Sequence, residues 1–374
     1  MPPPPLWRFA PEGDDSLGAR RRFLAVSDTP WHVKCHIDRL CAGFSFCRQS
    51  LPMSASAHTS PLSRPYMTVD VFTHTALLGN PVAVVLGADG LSDAQMQAFA
   101  RWTNLSETTF VLQPTPEGLA AGADYQLRIF TPAGELAFAG HPTLGSCHAW
   151  LAQGGQPRNP EQVLQECRKG LVAIGCDAQG ALFFEAPSLD SQEISEEELA
   201  PVLQALGLQR EQLLMARSLY NGSPWLGMLL DHPDTVLSVE PDFGALKKLG
   251  AKAGLAAIYE VAEDAPLIGR SSREARAFAK QAEEAAQEKV TSAQPRLEVR
   301  ALIGDTASED PVTGSLNAAL AQWLTGEGLL QTPYIAAQGV CVGRDGQVHV
   351  QTAANGKLWV GGHTVTVTSG RVLL

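Results

Sequence analysis

From residue 67 onward, alternating and continuous apolar runs follow one another in a regular order. Val69-Asp70-Val71-Phe72 alternates at once, as a strand with one wet face does. Pro81 to Leu86 is a continuous apolar run of strand length, and Ser92 to Trp102 has helical spacing behind a Ser N-cap. Thr108 to Leu112 is β-branched and aromatic, and Tyr125 to Phe130 alternates again. Thr143 to Leu151 then reads as a helix apolar on most of its faces, which suits the inside of a barrel or the space between sheets. Short strands at Leu171 to Ile174 and Ala181 to Glu185 precede a break at Ala186-Pro187-Ser188.

The second half retells the first. Gly79-Asn80-Pro81 before a strand has an echo in Gly222-Ser223-Pro224, with an apolar run to Leu230 and a helical stretch at Phe243 to Leu249. Leu127-Arg128 ahead of the first apolar helix matches Val299-Arg300 ahead of a second. Connection lengths differ by a few residues, so this is a diverged duplication and not a short-period solenoid. The pattern predicts an α+β chain of two similar lobes, each a curved sheet around one apolar helix. The first lobe spans 67–188 and the second 189–361, with the alternating end of the chain, 362–374, returning to the first. Residues 271–289, rich in Ala, Glu, Lys and Arg, read as an inserted, solvated surface helix.

Residues 1–66 differ from the rest. They hold Pro2 to Pro5 and the Arg20-Arg21-Arg22 cluster, show neither period, and count eight Lys and Arg against five Asp and Glu, whereas twenty face thirty-four afterwards. They read as a disordered leader or an upstream extension of the reading frame, with Met53 and Met67 as alternative starts. A transit peptide is the other reading, against which stand Glu12, Asp14, Asp15 and Asp28. Cys35, Cys41 and Cys47 beside His36 match no common zinc spacing.

With 374 residues, 45% apolar and 18% charged, two domains are the expected organisation. A net charge of -11 argues against a nucleic-acid or anionic-membrane surface and in favour of a small-molecule partner. Neither a long apolar run nor a secretory signal appears, so a cytoplasmic protein is expected. The seven cysteines are odd in number and lack metal-ligand pairing, as reduced thiols would be. G-x-G-x-x-G after a strand, the P-loop, G-x-S-x-G and H-E-x-x-H are all missing, which leaves a cofactor-free acid/base site with no metal.

Two segments carry candidate chemistry. Glu309-Asp310-Pro311-Val312-Thr313-Gly314-Ser315 and Gly140-His141-Pro142-Thr143-Leu144-Gly145-Ser146 share one layout and read as two helix N-termini, Asp310 or His141 at the N-cap and Pro at the first helical position. Paired helix starts suit an anionic substrate, a small-molecule carboxylate. Glu107, in Asn104-Leu105-Ser106-Glu107-Thr108, lies where a helix gives way to a strand, and partial burial there lets a carboxylate take and return a proton near neutrality. Taken singly, Glu107 reads first as a solvated turn residue, and His141 and Asp310 read first as caps. Their joint occurrence across mirrored halves is the signal.

Asp70-Val71-Phe72-Thr73, Gly79-Asn80-Pro81-Val82-Ala83-Val84-Val85, Asn104-Leu105-Ser106-Glu107-Thr108, Arg128-Ile129-Phe130-Thr131-Pro132, Gly134-Glu135-Leu136, Phe138-Ala139-Gly140-His141-Pro142 and Glu309-Asp310-Pro311-Val312-Thr313-Gly314-Ser315 together resemble the PhzF family, the phenazine-biosynthesis isomerases and their relatives. The blocks stand in family order over residues 67–374. The resemblance implies the diaminopimelate epimerase-like fold, with two pseudo-symmetric lobes and a site in the cleft between them, and a homodimer. It makes Glu107 the general acid/base, with His141 and Asp310 as proton-relaying partners. Gly140, Gly314, Ser315 and Ser106 become substrate-binding residues, and no cofactor is required. Epimerase relatives use two cysteines, and Cys147 has no second-half counterpart, so it reads as a core thiol. Leu316 and Ala318 replace residues that are usually smaller in the family, which predicts a narrowed pocket. A non-catalytic, small-molecule-binding or regulatory protein with the same cleft is the alternative.

Overall fold

The structure, a computed structural model, describes residues 62–260, 294–353 and 355–374. The first half runs β1 (Ser63–Val71), β2 (Asn80–Leu86), α1 (Asp93–Thr103), β3 (Glu107–Leu112), α2 (Pro116–Ala120) and β4 (Tyr125–Phe130). It continues with β5 (Glu135–Leu136), α3 (Gly140–Ala152), β6 (Val163–Cys167), β7 (Gly170–Cys176) and β8 (Leu182–Glu185). The second half opens with β9 (Asp190–Gln192), α4 (Glu196–Leu206), β10 (Leu213–Tyr220), β11 (Pro224–Leu230), α5 (Pro233–Ser238) and α6 (Phe243–Leu249). Then come β12 (Lys252–Ile258), β13 (Leu297–Ile303), β14 (Ser308–Asp310), α7 (Gly314–Gly326), β15 (Tyr334–Gln338), β16 (Gly346–Thr352), β17 (Leu358–Gly362) and β18 (Thr364–Leu373).

The two halves pair their strands in one repeated order. β2–β3 and β11–β12 are parallel, and β3–β4 and β12–β13 antiparallel. β4–β5 and β13–β14 form the hairpins that lead into α3 and α7, while β4–β6 and β13–β15 are parallel. Two ladders join the halves: β18 runs antiparallel along β1, and β8 pairs with β17.

Regular structure begins ahead of the boundary expected at residue 66. Ser63 to Tyr66 pair with Leu373 to Gly370, and Leu62 and Leu374 exchange backbone hydrogen bonds. The strand period is masked there by Arg64, which is buried and donates to the carbonyl oxygens of Gly87 and Asp89. The rest of the leader, with Cys35, Cys41 and Cys47, and the helix expected at 271–289 lie outside the described residues.

Each central helix is enclosed. Ten of the thirteen residues of α3 and nine of the thirteen of α7 are buried, so neither has the polar face of a surface helix. Small residues let the sheets close on them: a Cβ on Gly145 would lie 2.4 Å from Val82 Cγ1. Leu316 does not narrow a pocket, contrary to expectation. Its side chain is fully buried and fills the space above Gly254 of β12, where a Cβ would come within 2.3 Å of Leu316 Cδ1. No helix among the described residues is long and apolar enough to cross a membrane.

The two hairpins carry equivalent ion pairs. Arg128 of β4 donates from Nε and Nη2 to Glu135 of β5 at 2.8 and 2.7 Å. Arg300 of β13 does the same to Glu309 of β14, with Nη2 at 2.8 Å, and its Nη1 donates to the carbonyls of Val236 and Val239. The second pair is the more buried, each side chain only 5% exposed. Glu309→Ala strands the Arg300 charge and is expected to lower stability by about 3–5 kcal/mol. Glu135→Ala leaves Arg128 paired with Asp93 and partly hydrated, and is expected to cost about 1 kcal/mol. Urea unfolding of both variants measures the contrast, and equal losses would contradict it.

Candidate functional site

The two central helices begin against each other. Glycine occupies both contact positions: a Cβ on Gly314 would lie 3.5 Å from Gly140 Cα and 3.6 Å from the His141 amide nitrogen. Ala139 and Thr313 are the N-caps, both extended, and neither makes a side-chain capping bond. The expected caps are therefore corrected. His141 is the second residue inside α3, and Asp310 ends β14 opposite Ala301. The helices start at the glycines, one residue before His141 and four after Asp310. Both positive helix ends thus converge without a bond from an N-cap side chain, although Gln338 Oε1 accepts from the Thr313 amide at the entrance to α7 at 3.0 Å.

Glu107 opens β3 beside Val82 of β2, delivered by Asn104, which ends α1 in the left-handed conformation with φ 55. Its Oε2 lies 3.3 Å from His141 Nε2. The approach is not a formed hydrogen bond, since both atoms are buried without a hydrogen-bond partner. Ser106 is exposed and precedes Glu107 in the chain, and its hydroxyl has a lowering effect on the Glu107 carboxyl. Ser315 is half-buried, and its Oγ accepts from Trp225 Nε1 at 3.2 Å while its carbonyl accepts from Asn221 Nδ2 at 2.8 Å. All seven expected residues are thus described, and Glu107, His141, Gly140, Gly314 and Asp310 fall into one connected neighbourhood.

Asp310 enters it through Asn80. The Asn80 amide nitrogen donates to Asp310 Oδ1 at 3.0 Å and to the Val312 carbonyl at 2.8 Å, and stands 3.4 Å from His141 Nδ1. The other Asp310 oxygen accepts from Thr313 Oγ1 at 2.6 Å. Gln338, at the end of β15, donates to Thr313 Oγ1 and to the Asp310 carbonyl, both at 3.0 Å. Asn80 and Gln338 were missed as site residues. Asn80 stood in the Gly79-Asn80-Pro81 block as a strand opener, whereas Gln338 acts across the sheet and leaves no local pattern.

Burial governs the titrations. It raises the Glu107 carboxyl, against the lowering effect of the Ser106 hydroxyl. His141 is pushed down to about 4 by burial, opposed by the Asp310 charge and the Pro81 carbonyl. Asp310 is pushed up to about 6 by burial, opposed chiefly by His141 and reinforced by Glu107. Near neutrality the imidazole is therefore uncharged. Cys147 is buried beside Tyr125 with its thiol pushed up by burial, which suits a core thiol and not a nucleophile.

A sequence profile of the PhzC-PhzF family, described as phenazine biosynthesis-like protein, matches residues 69–370. The chain belongs to that family. A relative from Schizosaccharomyces pombe, antisense-enhancing sequence 1, is 32% identical over 319 residues, 82% of this chain and 97% of that protein. The trans-2,3-dihydro-3-hydroxyanthranilate isomerase of Pseudomonas fluorescens is 38% identical over 184 residues, 48% of this chain and 62% of the enzyme. The crystal structure of a PhzF-family phenazine biosynthesis protein from Enterococcus faecalis superposes with a TM-score of 0.63 at 25% identity, covering 84% of this chain and all of that one. The fold is accordingly the epimerase-like pair of pseudo-symmetric lobes in this PhzF family member.

The two buried groups act oppositely on stability. Asp310's contribution is present below its ordinary value of 3.8 and lost as pH rises through about 6. His141's is present above 6.5 and lost as pH falls through about 4. Between about pH 4 and 6 the two slopes offset each other. His141→Gln removes the rising component, so its stability relative to the wild type is expected to fall as pH rises across that window. Thermal melts at half-unit pH steps measure this, and a difference that is flat or rises with pH would contradict the assignment.

Proposed function

We propose that the protein is a cofactor-independent isomerase that moves a proton between carbons of a small cyclic or unsaturated carboxylate, an amino acid in particular. The observation that carries this reading is Glu107 Oε2 facing His141 Nε2 at 3.3 Å, both atoms buried and unpartnered, beside two converging helix starts whose N-cap side chains make no capping bond. The substrate carboxylate accepts hydrogen bonds from the amides around Gly140, Gly314 and Ser315, where both helix dipoles favour negative charge. Ser106 steadies the Glu107 carboxylate from outside.

Ionised Glu107 takes a proton from carbon, breaking the C–H bond. The electron pair shifts through the neighbouring double bond, and the same carboxyl returns the proton to the far carbon. Nothing is oxidised, reduced or released, so the carboxyl group supplies both steps. Its raised pKa keeps acid and base forms accessible near neutrality. His141 faces this carboxyl as a neutral ring, and Asp310 supplies a fixed negative charge behind it. The Pseudomonas relatives named for isomerising trans-2,3-dihydro-3-hydroxyanthranilate support the reaction class. The reading carries with it the homodimer that the family resemblance implies and the cytoplasmic location expected from the sequence.

Incubated in heavy water with cyclic and unsaturated amino acids, trans-2,3-dihydro-3-hydroxyanthranilate among them, the wild type is expected to place deuterium on carbon. Glu107→Gln should slow that exchange by about 100- to 10,000-fold. Mass spectrometry reads the label. Exchange that persists at the wild-type rate in the variant removes Glu107 from the mechanism, and binding without any label makes the cleft a binding site without turnover.

A further inference from the structure

Ser315 is the second residue of α7, half-buried beside Gly314, and the hairpin of β10 and β11 holds it at two points. Asn221, in the turn of that hairpin, donates from Nδ2 to the Ser315 carbonyl at 2.8 Å. Trp225, second in β11 and buried, donates from Nε1 to Ser315 Oγ at 3.2 Å. An indole nitrogen is a donor only, and a hydroxyl has a single proton. The Ser315 oxygen is therefore the acceptor in this contact, and its own proton points away from the indole. Among the described residues no group accepts that proton. Thr313, the neighbouring hydroxyl, differs. Its proton goes to Asp310 Oδ2 at 2.6 Å, and Gln338 Nε2 occupies its oxygen at 3.0 Å. Of these two hydroxyls at the entrance to α7, Ser315 is the one with a proton still to give. Burial of a ring does not by itself secure such a bond in this fold, since Nε1 of Trp323 and Nε1 of Trp359 are both buried without a partner.

We propose that Trp225 is a positioning residue: by donating to Ser315 Oγ it turns the serine proton outward, where the hydroxyl donates to the substrate carboxylate alongside the first amides of α7. The proposal rests on the reading of that helix start as the carboxylate site, and it adds a side-chain donor to the backbone ones. A carboxylate only accepts hydrogen bonds, so a hydroxyl beside it contributes only in its donating orientation. An uncommitted serine divides its time between orientations. One whose oxygen already accepts from an indole keeps the donating orientation, and the accepted bond polarises its O–H further. Asn221, by gripping the carbonyl of the same residue, fixes the backbone from which the hydroxyl projects.

Isothermal titration calorimetry of the full-length protein with anthranilate, benzoate and cyclohexenecarboxylate tests this. Ser315→Ala is expected to weaken binding by about 10- to 100-fold, as loss of a hydrogen bond to a charged group does, and Trp225→Phe by about 3- to 10-fold. The double variant should bind no more weakly than Ser315→Ala alone, because without the hydroxyl the indole has nothing to position. A packing role for Trp225 makes the two losses additive, and additive losses overturn the proposal. So does either single variant that binds as tightly as the wild type. Should Trp225→Phe not fold, benzothienylalanine at position 225 keeps the shape of the ring and removes only its N–H, and the same cycle is measured with it. A wild type that binds none of the three probes overturns the carboxylate reading together with this proposal. Binding with additive losses removes the proposal and leaves that reading standing.

Discussion

Two helix N-termini pressed together at Gly140 and Gly314 constrain everything else in the site. Bringing two positive helix ends to one point is unfavourable unless negative charge or hydrogen-bond acceptors meet them. Caps from the N-cap side chain are the usual remedy, and neither helix has one, although Gln338 Oε1 meets the Thr313 amide of α7. The burial of both helices keeps them from turning away, since each is wrapped by its own sheet and the sheets are laddered together through β1–β18 and β8–β17. The electrostatic demand is therefore met locally by groups delivered from the strands: the Asp310 carboxylate from β14 and Glu107 from β3.

Those two carboxyl groups are handled differently. Asp310 has both oxygens occupied by donors, Asn80 on one and Thr313 on the other, with Gln338 orienting the Thr313 hydroxyl. Every donor in that chain points toward the carboxylate, so the network is arranged for the ionised form even though burial pushes the group up to about 6. Glu107 keeps one oxygen buried and unpartnered, with the Ser106 hydroxyl as the one lowering influence on it. A carboxyl group with a donor on each oxygen keeps neither oxygen wholly open for chemistry. Glu107 keeps one open, beside a neutral imidazole.

Much of this was legible in the sequence where the physics is local. The limits of β4 and α6 follow from alternation and helical spacing, and the enclosed character of α3 follows from its want of a polar face. The duplication was visible because each half repeats the same turn and strand openings. What failed was capping. A polar residue one position before proline has the sequence form of a cap, but α3 starts back at Gly140 and α7 forward at Gly314. Long-range roles were also hidden. Arg64 looks like a leader residue until the Gly87 carbonyl accepts from it, and Gln338 acquires meaning only when β15 lies beside the entrance to α7.

The duplicated frame ends in unequal chemistry, and the inequality decides which reactions it suits. A two-base racemase needs matched proton carriers, one from each half. Here the first half brings Glu107 and His141 to the junction, and the second brings Asp310, already bound at both oxygens. Cys147, the only cysteine in either central helix, is sealed beside Tyr125. The two hairpin ion pairs follow the same logic, since the half that supplies the fixed charge has the more buried clamp, Arg300 with Glu309. A second wall that presents charge, opposite a first wall that carries the open carboxyl group, fits the proposed return of a proton by the group that took it.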